Sequence, residues 1–372
     1  MQRGDKLILE TPLDIDKVLL SAIRRYYTQT KILIDDIPHR EFGYSYDRSR
    51  KIQTRHKSFA TQKDLQTFLQ KDPPYYISYS IAGYRLPSAK DFSNKGLLYV
   101  DWVFEFDMEQ LMPEDILVCE SCKTFYFGDE FLSRPRKCPK CNKDLKIYQI
   151  PNPNRFRIAK RNTSKLIKIL TDEFGIPKQN ISINYSGNRG FHIHIRDEEW
   201  GQMPKEAREE IAHYILADLV QPEYIVQIVD GRPALYTFGL PGRIFQVVAR
   251  KISYEILGDI AILNTDIKTA YHEIEKALPL ISIPIDISTT MDIHRLIRVP
   301  DSVHGGTGLI AKTIDDLSEF NPYSDAVLPI NTRVETKVRY LPKISWAGET
   351  YGPYENETVE LPVTLLFFLT QK

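Results

Sequence analysis

Leu97-Leu98-Tyr99-Val100-Asp101-Trp102-Val103-Phe104-Glu105-Phe106-Asp107-Met108 is the stretch from which the rest of the chain is read. Aromatic and β-branched side chains are dense here, which favours a strand. Period-two alternation puts Trp102, Phe104 and Phe106 on one face and Asp101, Val103, Glu105 and Asp107 on the other. A strand with such bulky apolar neighbours is expected at the centre of a sheet, with its acids facing a site. Glu105 and Asp107 have Cα atoms roughly 6.5–7 Å apart, so both carboxylates can lean toward one divalent cation. Alone, the E-x-D pattern equally describes two solvated acids on a wet sheet face.

Working outward, Tyr75–Tyr84 reads as another strand. Upstream, Thr11-Pro12 opens a helix whose apolar positions include Leu13, Val18, Leu19, Ala22, Ile23 and Tyr26. Downstream, the spacing predicts a helix over Ile158–Phe174, stopped by Gly175. A hairpin follows: Ile181–Tyr185, the turn Ser186-Gly187-Asn188-Arg189-Gly190, then Phe191–Arg196. Ala207, Ile211, Ile215 and Leu219, four apart, predict an amphipathic helix. Residues 222–275 give no clear pattern. Asp286, in Ile-Pro-Ile-Asp-Ile-Ser, reads as part of a buried strand and as a possible third carboxylate.

The four cysteines, Cys119, Cys122, Cys138 and Cys141, form C-x2-C-x15-C-x2-C, the spacing of a zinc ribbon or knuckle. Four thiolates close a tetrahedral shell, so this zinc is expected to be structural. The rival reading, two disulfides, needs an oxidising compartment. No secretory signal is expected behind Met1–Lys6, and the longest apolar runs fall short of the roughly 20 residues that span a bilayer. The expectation is a cytoplasmic protein with no membrane partner.

The chain has 372 residues, 42% hydrophobic and 26% charged, which suits two or three folded units and excludes a largely disordered chain. Lys+Arg and Asp+Glu balance at 49 each, so nucleic acid would have to be held by local patches. One such run is Arg155, Arg157, Lys160, Arg161, Lys165 and Lys168, with no acid among them. It suits a phosphate backbone, although a solvated helix face is the plainer reading. The Ser186–Gly190 turn offers backbone N–H groups, a hydroxyl and a guanidinium to phosphate, or is simply a hairpin turn.

Four separated segments together resemble the small catalytic subunit of archaeal and eukaryotic DNA primase. They are Arg40-Glu41-Phe42 with Arg55–Phe59 and Tyr84–Lys90; Asp101–Asp107; Ser186–His192; and Asp286 through Asp292–Gly305. The cysteines lie between the second and third, where that family keeps a zinc motif, and Gly348–Tyr354 looks like archaeal members. The resemblance implies an α+β fold, a primase catalytic core of β-sheets flanked by helices. Residues 1–115 and 147–372 would form that core, 116–146 the zinc-binding insertion, and a helical subdomain would fall within 200–275.

It further implies that Glu105, Asp107 and Asp286 hold two catalytic Mg²⁺ or Mn²⁺ ions, with Asp292 as the rival to Asp286. Ser186, Arg189, His192, Arg298 and His304, and less directly Glu41 and Arg55, would contact the nucleotide. The implied activity is nucleotidyl transfer from nucleoside triphosphates, making short RNA primers, or DNA, on single-stranded DNA for replication. The implied partner is an iron–sulfur large subunit in a heterodimer, and the location is the nucleoid for an archaeal protein.

Three residues depart from the family pattern. Glu105 stands where an aspartate is usual, Asn188 where some relatives have a second arginine, and Gly306 where many have a basic residue. The last two lead one to expect weaker nucleotide binding. Two other functions compete: a primase-like repair or plasmid-replication polymerase that extends existing primers, and a silent nucleic-acid-binding subunit. The three matched carboxylates argue against the silent subunit.

Overall fold

The computed structural model describes residues 9–10, 14–107 and 112–370. The fold is α+β, as the resemblance implies, with several separate sheets flanked by helices. The first helix runs Ile15–Gln29 with Asp14 as its N-cap; its expected opening at Thr11-Pro12 lies outside the described residues.

The expected strand over 97–108 is two strands in two sheets. Leu97–Val100 pairs with Tyr76–Tyr84, in a sheet that also holds Leu296–Arg298, Arg40–Ser45 and Thr54–Lys57. Trp102–Asp107 leaves that sheet and pairs with Gly190–Ile195. Asp101 is the corner. Its N–H donates to Ile81 O at 2.9 Å, and its buried carboxylate takes the Arg40 guanidinium at 2.7 Å, with Arg196 at 3.6 Å. A buried acid needs such partners, and they explain why the chain turns here.

The second sheet has the order Thr313–Ile314, Ile181–Tyr185, Gly190–Ile195, Trp102–Asp107, all antiparallel. Alternation holds. Trp102, Phe104 and Phe106 join Phe191, Ile193 and the helix Arg157–Asp172 in one core, while Val103 joins Tyr79, Ile297 and Val299 in another. The carboxylate strand, however, lies at the sheet edge and not at its centre. Unpaired edge carbonyls need partners, and the short helix Ile287–Met291 supplies them: Asp286 N–H donates to Glu105 O at 3.3 Å and Thr290 Oγ1 to Val103 O at 3.2 Å. Covering this edge brings Asp286 beside Glu105. Asp286 is therefore the exposed N-cap of a helix, not part of a buried strand.

The cysteine segment carries a three-stranded sheet, Phe125–Phe127, Ile116–Val118, Lys146–Tyr148. Its root is fastened by the buried Asp115–Arg155 ion pair and by Ile150 N–H on Asp115 at 2.9 Å. Arg155 is therefore structural and does not belong to an exposed basic run. The helical expectation within 200–275 is only partly met. Four strands, Gln227–Val229, Arg232–Tyr236, Ile260–Leu263 and Tyr254–Leu257, form a sheet around a small core shared with the helices Gly239–Val248 and Ile267–Ile281. The amphipathic helix there is Lys205–Leu216, and Leu219 lies beyond its end, exposed. No helix among the described residues is long and apolar enough to cross a membrane.

Candidate active site

Glu105 and His192 face each other across the register of two neighbouring strands, and Gly190 faces Asp107 in the same way. Glu105, Gly190 and His192 line a cleft of about 330 Å³ closed on its other side by the segment around Leu296–Arg298. The Glu105 carboxylate accepts from Thr289 Oγ1 at 2.9 Å, lies 3.0 Å from Arg295 Nη2, and has His192 Nε2 at 3.6 Å. Burial pushes its pKa up, but His192, the Thr289 hydroxyl and the Arg295 charge outweigh it and hold the group down at about 2.

Thr289 Oγ1 also lies 3.0 Å from Asp286 Oδ2. One hydroxyl thus sits between the Glu105 and Asp286 carboxylates and ties them together. Asp286 is held below the usual carboxylate range: burial opposes this, but hydrogen bonds from Ser288 and Thr289 prevail. Asp292 lines the cleft and Asp286 does not; instead Asp292 accepts from His294 N–H at 3.0 Å. The backbone of Asp107 ends the carboxylate strand, and its side chain lies outside the described residues.

The turn before the histidine strand is built for close approach. Ser186 Oγ accepts from Gly190 N–H at 3.2 Å. Gly187 has φ of +78°, and a Cβ there would stand 2.8 Å from His304 Cβ, so glycine serves both the left-handed backbone and the contact. Thr307 Oγ1 donates to Gly187 O at 2.6 Å, fastening the turn to the His304 loop.

His304 is buried, and its Nδ1 accepts from Thr307 N–H at 3.1 Å. That bond leaves the proton on Nε2, where it can be donated. Burial, reinforced by Arg298, Lys51, Arg48 and Arg189, holds the ring well below its ordinary pKa, so it is neutral at pH 7. Arg298 stacks over Tyr76, 4.9 Å from the ring centroid, and Tyr76 meets the His304 ring edge-on at 5.2 Å. Burial pushes Arg298 down to about 10, so it remains cationic, and its buried Nη1 has no hydrogen-bond partner among the described residues. An unpaired buried guanidinium N–H beside a cleft calls for an anion.

The cleft therefore gathers Ser186, Arg189, His192, Arg298, His304 and Arg55 with Glu105. It does not gather Glu41. That carboxylate is fully buried behind the cleft, held by Arg55 Nε at 3.0 Å, Lys95 Nζ at 3.3 Å and His56 N–H at 3.2 Å. Five cations (Lys51, Arg55, Arg189, Arg295, Arg298) line the cleft against two acids, Glu105 and Asp292. This local excess in a chain of zero net charge suits a polyphosphate. Sequence reasoning missed Lys51 and Arg295 as cleft residues, and Tyr76 and Thr289 as the supports of Arg298 and Glu105. Arg295 and Thr289 sat inside the quoted fourth segment, whereas nothing in the sequence marks Tyr76 or Lys51.

The four cysteine sulfurs lie within 4.8 Å of one another. Four sulfurs each about 2.3 Å from one ion would stand roughly 3.8 Å apart, so the donor set fits a tetrahedral metal. The two knuckles repeat one design. Lys123 N–H bonds Cys119 O, Asn142 N–H bonds Cys138 O, and both Lys123 and Asn142 have positive φ.

The sequence model of the DNA primase small subunit matches residues 152–316. The chain is 30% identical over 317 residues to the DNA primase small subunit PriS of Thermoplasma acidophilum, covering 83% of this chain and 84% of that protein. It is 28% identical over 374 residues to PriS of Nitrosopumilus maritimus, covering 96% and 97%. PriS of Hyperthermus butylicus is 29% identical over 377 residues, covering 94% and 93%.

Proposed function

The chain belongs to the DNA primase small-subunit family, and from that membership we propose that it makes short RNA primers de novo on single-stranded DNA by two-metal nucleotidyl transfer. The observation that carries the reading is the Thr289 hydroxyl shared by Glu105 and Asp286, beside a cleft whose Arg298 has an unpaired N–H. Glu105, Asp107 and Asp286 would hold the two Mg²⁺ or Mn²⁺ ions. Carboxylate oxygens are the donors such hard cations take, and the Arg295 guanidinium lies 3.0 Å from the Glu105 carboxylate. When bound, such ions activate the attacking 3′-hydroxyl and stabilise the leaving pyrophosphate.

The chain's own residues do the rest. Arg298 and Arg189 offset charge on the triphosphate, and His304 donates from Nε2 to a phosphate oxygen. The Ser186 turn presents backbone N–H groups, and Arg55 reaches the cleft from the next sheet. Glu41 acts at one remove, as a positioning residue for Arg55. Asp286 is preferred to Asp292 because it shares a hydrogen-bond donor with Glu105, whereas Asp292 binds its own loop.

In this reading residues 1–115 and 147–372 are the catalytic core, with 116–146 a zinc-binding insertion. The partner is the large primase subunit in a heterodimer. An iron–sulfur cluster would belong to that partner, since all four cysteines of this chain are gathered in one group. The protein would work in the cytoplasm, at the nucleoid.

The test is synthesis on single-stranded DNA with nucleoside triphosphates and no primer, run with and without the large subunit. Short products lost in folded Asp107→Ala support the reading. Extension of a supplied primer but no start, even with the large subunit present, would favour the primer-extending polymerase instead.

A further inference from the structure

Two positions lack a charge that the motif pattern would supply: Asn188, which lines the cleft, and Gly306, which packs behind it against His304 and Tyr76. At the second, a side chain would have to shift its neighbours. A Cβ on Gly306 would stand 2.9 Å from both Tyr76 Oη and His304 Cε1, and those two rings pack against each other and support Arg298. A side chain there would displace the groups it was meant to assist.

A cation reaches the same place from another element. Lys51 lies on the loop between the strands Arg40–Ser45 and Thr54–Lys57, and lines the cleft with Arg189, Arg298 and His304. It is exposed, and no ion pair holds it among the described residues. Its loop is fixed against the glycine that carries no charge. Arg48 donates through Nε to Gly305 O at 2.7 Å and through Nη2 to Gly306 O at 3.1 Å, and its own carbonyl accepts from Tyr76 Oη at 3.0 Å. Arg48 is itself anchored by Asp16 at 2.9 Å. The Lys51 charge also helps hold His304 neutral.

We propose that Lys51 is a triphosphate-binding residue, supplying from the Arg48-clamped loop the charge that Gly306 does not carry. The inference rests on the reading of the cleft as the nucleotide site. A lysine here acts as a point charge on a flexible stem, well suited to the outer phosphates and indifferent to the base.

The experiment is calorimetric titration of the wild-type chain and of Lys51→Ala, Lys51→Arg and Arg298→Gln with ATP and with AMP in Mg²⁺, each variant checked for folding by circular dichroism. Lys51→Ala is expected to weaken ATP about tenfold, one charge-assisted contact, to leave AMP unchanged, and to raise KM without lowering kcat. Lys51→Arg should bind ATP within about threefold of wild type. If Lys51→Ala binds ATP as tightly as wild type while Arg298→Gln loses it, the Lys51 proposal fails and the cleft stands. If neither variant loses ATP, the reading of the cleft fails and the proposal with it. Equal losses for ATP and AMP would also overturn the triphosphate assignment.

Discussion

Truncating Glu41 is expected to unfold the protein before it changes nucleotide recognition. Its side chain is 0% exposed, as is that of Lys95, and the two lie 3.3 Å apart. Arg55 Nε and His56 N–H complete the shell at 3.0 and 3.2 Å. Glu41→Ala would leave the Lys95 ammonium buried, with only the Pro87 carbonyl and the Tyr84 and Phe92 ring faces for company. Breaking a buried pair by removing one partner costs about 3–5 kcal/mol, because the other charge stays uncompensated. Replacing both partners by apolar groups is often nearly neutral, so Glu41→Leu with Lys95→Met should recover most of the loss. Urea unfolding of the two single variants and the double gives that coupling directly. Arg55→Ala, whose side chain is 33% exposed, leaves Glu41 with Lys95 and His56 N–H, so it should cost less stability than Glu41→Ala and instead raise the nucleotide KM. The reasoning is refuted if Glu41→Ala costs under about 1 kcal/mol while its KM rises as steeply as that of Arg55→Ala.

Thr289→Val keeps the side-chain shape and removes the hydroxyl between Glu105 and Asp286. That hydroxyl lies 2.9 Å from the Glu105 carboxylate and 3.0 Å from that of Asp286, and losing the hydrogen bond that positions them is expected to weaken Mn²⁺ by roughly tenfold, with Thr289→Ser restoring it; unchanged Mn²⁺ binding by paramagnetic resonance would count against the shared-donor geometry. Acid should destabilise the fold, because His194 and His304 are buried neutral. Burial holds both well below 6.5, with Arg196, His192 and Arg40 adding to it at His194, and Arg298, Lys51, Arg48 and Arg189 at His304. A depressed folded pKa stabilises fully above the unfolded value and is lost as pH falls below it, by up to about 1.4 kcal/mol per pH unit for each group. Urea unfolding at pH 7.5 and 5.5 should therefore differ by about 2–3 kcal/mol, and a flat profile contradicts the assignment. If the cysteines hold zinc as proposed, a chelator should free four titratable thiols and lower Tm, since Ile116 and Val118 belong to the main core; no change in either would argue against a metal at the cysteines.

Period-two alternation was enough to place Trp102, Phe104 and Phe106 in the core and Glu105 in the cleft, because sheet geometry fixes that pattern locally. Local pattern could not reveal the break at Asp101, which depends on Arg40 and Arg196, distant in sequence. Nor could it reveal that the carboxylate strand is an edge, since that depends on which strands find it. For the same reason Asp286 read as strand: its helix is only five residues long and exists to cover that edge. The sheet within 222–275 did leave a signal, Asp230-Gly231 between Val229 and Arg232, with both residues at positive φ, the signature of a tight hairpin. The motif residues of the cleft were legible through the family resemblance. Two of their supports, Tyr76 under Arg298 and Arg48 behind Gly306, are set by tertiary contacts alone, and Thr289 meets Asp286 locally but Glu105 only through the fold.

The central claim is that Glu105, Asp107 and Asp286 hold the catalytic metals, and Mn²⁺ bound per chain in the presence of a nonhydrolysable nucleoside triphosphate tests it most directly. Paramagnetic resonance on wild type, Asp286→Ala and Asp292→Ala, each confirmed folded, is expected to give two tight ions in wild type and in Asp292→Ala, with at least one lost in Asp286→Ala. Two tight ions retained in Asp286→Ala and lost in Asp292→Ala would contradict it.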